Sequence, residues 1–240
     1  MTTGAVRETD APRAAPVVPV GRPPWWLVAA ALLVTVLLSV DLLVHGPSER
    51  LDLRVSEIVS DWGLRDTPGY PAVWVVTQIG GRVTILVVLA GLVGYLLWRR
   101  GAWLPALRVL LALGVLTAGV YAMKHGFGRT APAFPGSYFF HSEGVSFPSG
   151  HVANAVLMWG VARWQAVEYG LPPAVQRTFW WLSVVGPVAT GVAMVSLDFH
   201  WVSDAVVGAA VGIVLLGVVH ALDELVLSRW VRARAGRPGS

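Results

Sequence analysis

The sequence predicts an all-α fold, a polytopic membrane bundle of six transmembrane helices with one short amphipathic helix. Of its 240 residues, 55% are hydrophobic and only 13% are charged, whereas a soluble domain has about 25% charged residues. The mean hydropathy is +0.62, and the apolar residues form runs that match the roughly 20 residues needed to cross a bilayer. Because these runs are spread over the whole chain, a single membrane domain is the simplest organisation.

Two further features of the composition exclude whole classes of protein. The sequence contains no cysteine, which rules out a disulfide scaffold, thiolate catalysis and iron–sulfur or zinc–thiolate sites. The net charge is +4, but the basic residues stand in short clusters beside apolar runs and do not form one polar face. We interpret this charge as a signal of membrane topology, and we expect no nucleic-acid partner.

The first three elements follow from their residue patterns. Residues 1–24 are rich in Ala, Pro and Val and predict a disordered cytoplasmic tail. Residues 25–44 form the first span. A cleaved signal peptide is the alternative, but this run begins late, is too long for a typical apolar signal region and lacks a clear cleavage site. Residues 51–62 place apolar side chains at helical spacing among charged ones, which indicates an amphipathic helix at the membrane interface.

The next apolar stretch, residues 73–97, is interrupted at Gln78, Gly80, Gly81 and Arg82. This interruption predicts a short interfacial or re-entrant piece, followed by a second span at residues 83–98. The other four spans are predicted at residues 103–123, 152–167, 179–195 and 205–222. A basic cytoplasmic tail at residues 228–240 follows the membrane domain, which covers residues 25–227.

The arginines predict which side of the membrane faces the cytoplasm, because short loops rich in Arg and Lys remain there. With six spans both termini lie on one side, and the clustered arginines fall on that side: Arg99, Arg100, Arg163, Arg177, Arg229, Arg232, Arg234 and Arg237. We therefore expect a multi-pass protein of the cell membrane with both termini in the cytoplasm. The loops after the first, third and fifth spans then face outward.

Three polar clusters stand at the outer ends of the predicted spans. The first contains Lys124 and Arg129 in a glycine-rich turn after the third span. A cation at a span end commonly extends its charge to the interface and anchors the helix there. These two cations, however, lie on the side that the positive-inside rule disfavours. Together with the backbone amides of the turn they would suit an anion.

The second cluster, Ser146 to His151, directly precedes the fourth span. Free N–H groups at the start of a helix bind phosphate through hydrogen bonds and the helix dipole, and Ser149, Gly150 and His151 would stand at this start. The alternative is a simple Ser N-cap, which is compatible with anion binding. An imidazole titrates near neutral pH, so His151 would also be suited to protonate a leaving oxygen.

The third cluster, Asp198 to Asp204, joins the fifth and sixth spans. His200 and Asp204 are four residues apart, so on one helical turn the carboxylate could hold one imidazole nitrogen while the other faces a substrate. Such a pair is also common as a capping contact at a helix start. Three clusters on one membrane face bring Lys, Arg, Ser, His and Asp side chains together, and this convergence favours a phosphoryl-transfer site.

The motifs in these clusters resemble those of the type 2 phosphatidic acid phosphatase superfamily, the integral-membrane lipid phosphatases related to vanadium haloperoxidases. That family has a Lys followed seven residues later by Arg-Pro, then Pro-Ser-Gly-His. A Ser-Arg pair follows, with a His six residues after the Arg and an Asp four further on. The matching residues here are Lys124, Pro132, Pro148 to His151, His200 and Asp204. The resemblance covers about residues 51–221.

The resemblance implies a role for each matching residue. His200 would attack phosphorus to form a phosphohistidine, Asp204 would orient it, and His151 would protonate the leaving group. The phosphate oxygens would be bound by Lys124, Ser149 and Gly150. The resemblance implies no metal and no other cofactor.

Two arginines of the family pattern are absent from this sequence. The first-motif arginine falls on Ala131, and the Ser-Arg pair falls on Ala193 and Met194. A charge-assisted hydrogen bond to a phosphoryl group is worth roughly 1.5 to 3 kcal/mol, so losing two would slow the reaction by orders of magnitude unless another cation replaces them. Arg129 is the replacement phosphate ligand that we expect, because it stands two residues before Ala131.

The sequence therefore predicts a bacterial cell-envelope hydrolase, a lipid phosphate or diphosphate phosphatase that acts at the extracytoplasmic leaflet. Polyprenyl diphosphate, phosphatidic acid and phosphatidylglycerol phosphate all fit as substrate. Two alternatives remain open: a transferase that passes the phosphoryl group to an acceptor lipid, and a non-catalytic lipid-phosphate binding protein. The absent arginines favour the binding protein, whereas His151, His200 and Asp204 favour the enzyme. The sequence makes no prediction of oligomeric state.

Overall fold

The computed structural model describes residues 21–134 and 143–229. Within these residues the regular structure is helical, apart from one isolated antiparallel bridge between Thr130 and Val145. The predicted all-α class is therefore confirmed for the described part of the chain. Most of the predicted N-terminal tail and nearly all of the predicted C-terminal tail lie outside the described residues.

The α-helices follow the predicted elements in order. They are α1 (Trp25–Leu43), α2 (Pro47–Asp61), α3 (Tyr70–Thr77), α4 (Arg82–Arg100), α5 (Leu104–Phe127), α6 (Gly150–Glu168), α7 (Pro173–Ser196) and α8 (Val202–Leu222). The short piece before the second span is α3, and the amphipathic helix is α2. The largest difference is at α7, which begins at Pro173 and not at residue 179 because proline is well suited to the first turn of a helix.

Five of these helices are long and apolar enough to cross a membrane, namely α1, α4, α5, α7 and α8 with its continuation to Leu227. The chain is therefore a multi-pass membrane protein. The remaining predicted span corresponds to α6, whose sequence includes Asn154, Arg163 and Gln165. These polar residues lower the hydropathy of α6, and the count of six spans stays a prediction.

Helix α6 lies at the centre of the bundle and packs against α4, α5, α7 and α8. Every residue from Val152 to Ala162 is buried. Glycines allow the close approach of α8, since a Cβ on Gly160 would lie 2.7 Å from Leu216 Cδ2. The outer helices are buried on one side only. In α4, for example, the buried residues form a single stripe, Ile85, Leu89, Leu92 and Leu96.

A buried ionic cluster joins the helices at one end of the bundle. Near the start of α5, the Arg108 guanidinium donates to Asp223 Oδ1 at 2.9 Å and to Glu168 Oε1 at 2.8 Å. These carboxylates stand just after α8 and at the end of α6, so the cluster fixes three helices to one another. The polar clusters predicted from the sequence lie at the other ends of these helices.

Candidate active site

The structure brings the three predicted clusters together at one end of the bundle. The amide of Ser149 donates to the carbonyl of Asp204 at 2.9 Å, which joins the start of α6 to the start of α8. The Lys124 ammonium, near the end of α5, donates to the carbonyls of Val145 and Ser146 at 2.8 and 3.0 Å. Backbone and side-chain bonds therefore hold the clusters as one unit.

The predicted pair of His200 and Asp204 is in contact. His200 Nδ1 lies 3.1 Å from Asp204 Oδ2, and because a carboxylate only accepts, Nδ1 is the donor of this hydrogen bond. Nε2 makes no hydrogen bond within the described residues. The prediction that the two residues share one helical turn is wrong, since α8 begins at Val202. Asp204 reaches back from the first turn and also accepts the Trp201 amide at 3.2 Å.

The turn that carries His200 is held in place by α2 and the short turn after it. Arg65 donates from Nε to the carbonyl of Leu197 at 2.7 Å and from Nη2 to that of Asp198 at 3.0 Å. Ser56, on α2, donates to Asp198 Oδ1 at 2.9 Å. The amphipathic helix predicted at the membrane interface therefore also supports the site.

His151 occupies the first turn of α6, after the buried N-cap Ser149, whose hydroxyl accepts the amide of Val152 at 3.5 Å. The imidazole of His151 is half-buried and makes no hydrogen bond within the described residues. The amides of Gly150 and His151 belong to the first turn, where N–H groups have no intrahelical partner.

A cavity of about 220 Å³ opens beside His151. Its lining includes the polar residues Arg82, Lys124, Gly150, His151 and Asn154 and the residues Leu116, Val120 and Tyr121. A lining with both charged and apolar side chains suits an amphiphile with a charged headgroup. Of the predicted phosphate ligands, Lys124 and Gly150 reach this cavity directly.

Arg129 lies behind the cavity and is 2% exposed. Its Nη1 donates to Asp204 Oδ1 at 2.9 Å and to the Ser203 hydroxyl at 2.7 Å, and its Nη2 donates to Asp52 Oδ2 at 2.8 Å. Arg129 therefore holds the carboxylate that holds His200. Its predicted contact with phosphate stays a prediction, and Arg129 is not among the residues that line the cavity.

Asp52 is a residue that the sequence analysis missed. It stands on α2, is 1% exposed and accepts both the amide of Ser203, at 2.9 Å, and the Ser203 hydroxyl. It thus satisfies an N–H group at the start of α8 while it pairs with Arg129. An acidic residue on an amphipathic helix normally faces water, so no pattern in the sequence indicates this contact.

The two positions where the family arginines are absent lie outside the lining of the cavity. Met194 is 5% exposed in α7, and the amide of Ala131 donates to the carbonyl of Gly144 at 3.0 Å. Arg82, to which the sequence analysis gave no role in the chemistry, does line the cavity. Among the described residues there is no group of three His, Asp or Glu side chains that could hold a metal ion.

The family model of the PAP2 superfamily matches residues 105–225, which include all three clusters. The chain belongs to the PAP2 superfamily. The predicted family and the predicted enzyme class, a lipid phosphatase, are thereby confirmed.

Two curated relatives are similar in sequence. Phosphatidylglycerophosphatase B of Bacillus subtilis (strain 168) is 26% identical over 151 residues, which is 62% of this chain and 72% of that protein. The lipid A 1-phosphatase of Porphyromonas gingivalis is 31% identical over 132 residues, or 54% of this chain. The aligned part spans only 25% of the length of that second relative.

A solved structure has a similar fold. The crystal structure of a transmembrane PAP2-type phosphatidylglycerolphosphate phosphatase from Bacillus subtilis matches with a TM-score of 0.65. The match covers 84% of this chain and 98% of the other, with 20% sequence identity. At this identity the similarity shows that the two proteins share a transmembrane fold.

Proposed function

We propose that this PAP2 protein hydrolyses a lipid phosphate or diphosphate at the extracytoplasmic leaflet through a phosphohistidine on His200. The observation that carries the proposal is the hydrogen-bonded chain from Arg129 to Asp204 to His200. His200 is 8% exposed and stands outside the lining of the cavity. With Nδ1 bonded to Asp204, its Nε2 would be the attacking nitrogen. His151 is a second imidazole, which makes no hydrogen bond within the described residues and lines the cavity.

The reaction would proceed in two displacements. His200 Nε2 attacks phosphorus, the bond from phosphorus to the leaving oxygen breaks, and His151 donates a proton to that oxygen. A water molecule then attacks the phosphohistidine, His151 accepts a proton from it, and the nitrogen–phosphorus bond breaks to release phosphate. Asp204 keeps the Nδ1 proton of His200 in place and stabilises the positive charge that the ring carries while Nε2 is bonded to phosphorus, a charge that disappears when the nitrogen–phosphorus bond breaks.

The phosphate oxygens would be bound by groups around the cavity. Lys124 uses two of its three N–H groups on the carbonyls of Val145 and Ser146, which leaves one for the substrate. The amide of Gly150 stands at the start of α6, where the helix dipole also favours an anion. Ser149, the N-cap residue, is the remaining predicted ligand.

The positions of the arginines support an outward orientation of the site. Arg99 and Arg100 end α4, and Arg163 and Arg177 flank the connection between α6 and α7, at the end of the bundle remote from His200. The positive-inside rule assigns that end to the cytoplasm. Six spans, α1 and α4 to α8, then put both termini in the cytoplasm and the cavity at the outer face.

The chemistry of the cavity fits a lipid phosphate class and not one particular lipid. The polar residues of its lining take the phosphate, and Leu116 and Val120 contact the adjoining apolar part of the substrate. Polyprenyl diphosphate, phosphatidic acid and phosphatidylglycerol phosphate all belong to this class. The two curated relatives are named for phosphatidylglycerol phosphate and lipid A, and both lipids therefore belong in a substrate panel.

The proposal is tested by phosphate release from a panel of lipid phosphates and diphosphates, with the purified full chain in detergent and without added metal. We expect release that disappears in His200→Ala, and the preferred lipid identifies the substrate. Release that requires an acceptor lipid would instead indicate a phosphotransferase. No release from any lipid by folded protein would contradict the proposal and favour a binding protein.

A further inference from the structure

Arg82 lines the cavity and has no partner among the described residues. It is the first residue of α4, its side chain is exposed, and it lines the same cavity as Lys124 and His151. Within the described residues it makes no hydrogen bond, ion pair or ring contact. Arg108 and Arg129, by contrast, are buried and paired with carboxylates. The guanidinium of Arg82 is therefore available to an anion that enters the cavity.

The backbone just before Arg82 is fixed against the first half of α6. Asn154 Nδ2 donates to the carbonyl of Gly80 at 2.8 Å, and Trp159 Nε1 donates to that of Ile79 at 2.9 Å. The approach is so close that a Cβ on Gly80 would lie 2.5 Å from the carbonyl oxygen of His151. Arg82 therefore stands two residues after Gly80, whose backbone packs directly against that of His151.

The corner between α3 and α4 also faces the part of α7 where the family arginine is absent. A Cβ on Gly80 would lie 2.6 Å from Thr190 Cγ2, and Thr190 is one helical turn before Met194 on the same face of α7. The corner therefore brings a cation to this side of the site from a neighbouring helix.

We propose that Arg82 binds a non-bridging oxygen of the substrate phosphate and shares this role with Lys124. The inference rests on the proposed function and adds a ligand that lies outside the three motifs. A planar guanidinium can donate two hydrogen bonds to phosphate. Such a contact compensates for the arginines that Ala131 and Met194 do not provide.

The experiment measures the affinity of the full chain in detergent for inorganic orthophosphate, by calorimetric titration, together with kcat and KM for the preferred lipid. Arg82→Ala should weaken phosphate binding by about ten- to hundredfold, the range that a charge-assisted hydrogen bond represents. The Lys variant should retain part of the affinity, because it keeps the charge but not the fork. Arg99→Ala, at the other end of α4, is the matched control and should bind phosphate as the unmodified chain does.

Binding of orthophosphate needs no turnover, so this experiment separates the two proposals. Unchanged phosphate affinity in folded Arg82→Ala would overturn the role of Arg82 even if the protein hydrolyses lipids. An equal loss in Arg99→Ala would also overturn it, because it would show a general effect of surface charge. If the Ala variant does not fold, Arg82→Gln decides, since it keeps a polar side chain of similar length and should show the same loss.

Discussion

The buried arginine behind the site gives the sharpest prediction. Arg129 is 2% exposed and forms ion pairs with Asp52 at 2.8 Å and with Asp204 at 2.9 Å. Arg129→Gln removes the positive charge and leaves two buried carboxylates unpaired. Breaking a buried pair by removing one partner costs about 3–5 kcal/mol, so we expect a loss of stability of at least this size, with a lower kcat because Asp204 no longer holds His200 firmly.

Thermal unfolding in detergent and steady-state kinetics measure these two effects. Arg108→Gln is the matched control, because Arg108 is equally buried and paired but lies at the other end of the bundle. It should lower stability and leave kcat per folded molecule unchanged. A raised KM and weaker orthophosphate binding in Arg129→Gln, with kcat intact, would show that Arg129 binds substrate and would refute the positioning role. Unfolding and kinetics like those of the unmodified chain would refute the whole account of this network.

Three other changes test the role of His151, the packing at Gly80 and the N-terminal tail. His151→Ala should lower kcat by about 10²–10⁴, the usual contribution of general acid–base catalysis, with KM little changed; an unchanged kcat would remove His151 from the reaction. Gly80→Ala should lower both stability and activity, because its Cβ would collide with the backbone of His151. The control Gly91→Ala should lower neither, because a Cβ there meets nothing within 4 Å. Equal effects of the two variants would contradict this packing argument. Deletion of residues 1–20 should leave activity intact, since no predicted site residue lies there; an inactive but folded truncation would contradict this, and phosphate release measures it.

Much of the fold could be predicted from the sequence because a membrane imposes a length on each apolar run. The predicted start of α1 at residue 25 and the interruption around Gly80 both correspond to observed helix boundaries. Hydropathy is less informative for α6, since it contains polar residues that are buried inside the bundle, Asn154 and Gln165. A helix buried on all sides does not need the uniform apolarity that a lipid-facing helix requires.

The site could be predicted only where a local motif carries the chemistry. His151, His200 and Asp204 stand in short motifs, and their convergence follows from the side of the membrane on which each span ends. Asp52 and Arg82 could not be predicted in the same way, because each reaches the site through packing between helices that are distant in the sequence. On a linear chain, an acid in an amphipathic helix and an arginine after two glycines indicate only an interface.

The central claim is that His200 becomes covalently phosphorylated during turnover. The most direct measurement is rapid quenching with a lipid labelled in its phosphate, followed by mapping of the modified residue by mass spectrometry. We expect a transient phosphoramidate on His200 that is stable in alkali and labile in acid. It should form and decay at rates consistent with kcat, and it should be absent from His200→Ala. Label on another residue, or phosphate release by the His200→Ala protein at an undiminished rate, would contradict it.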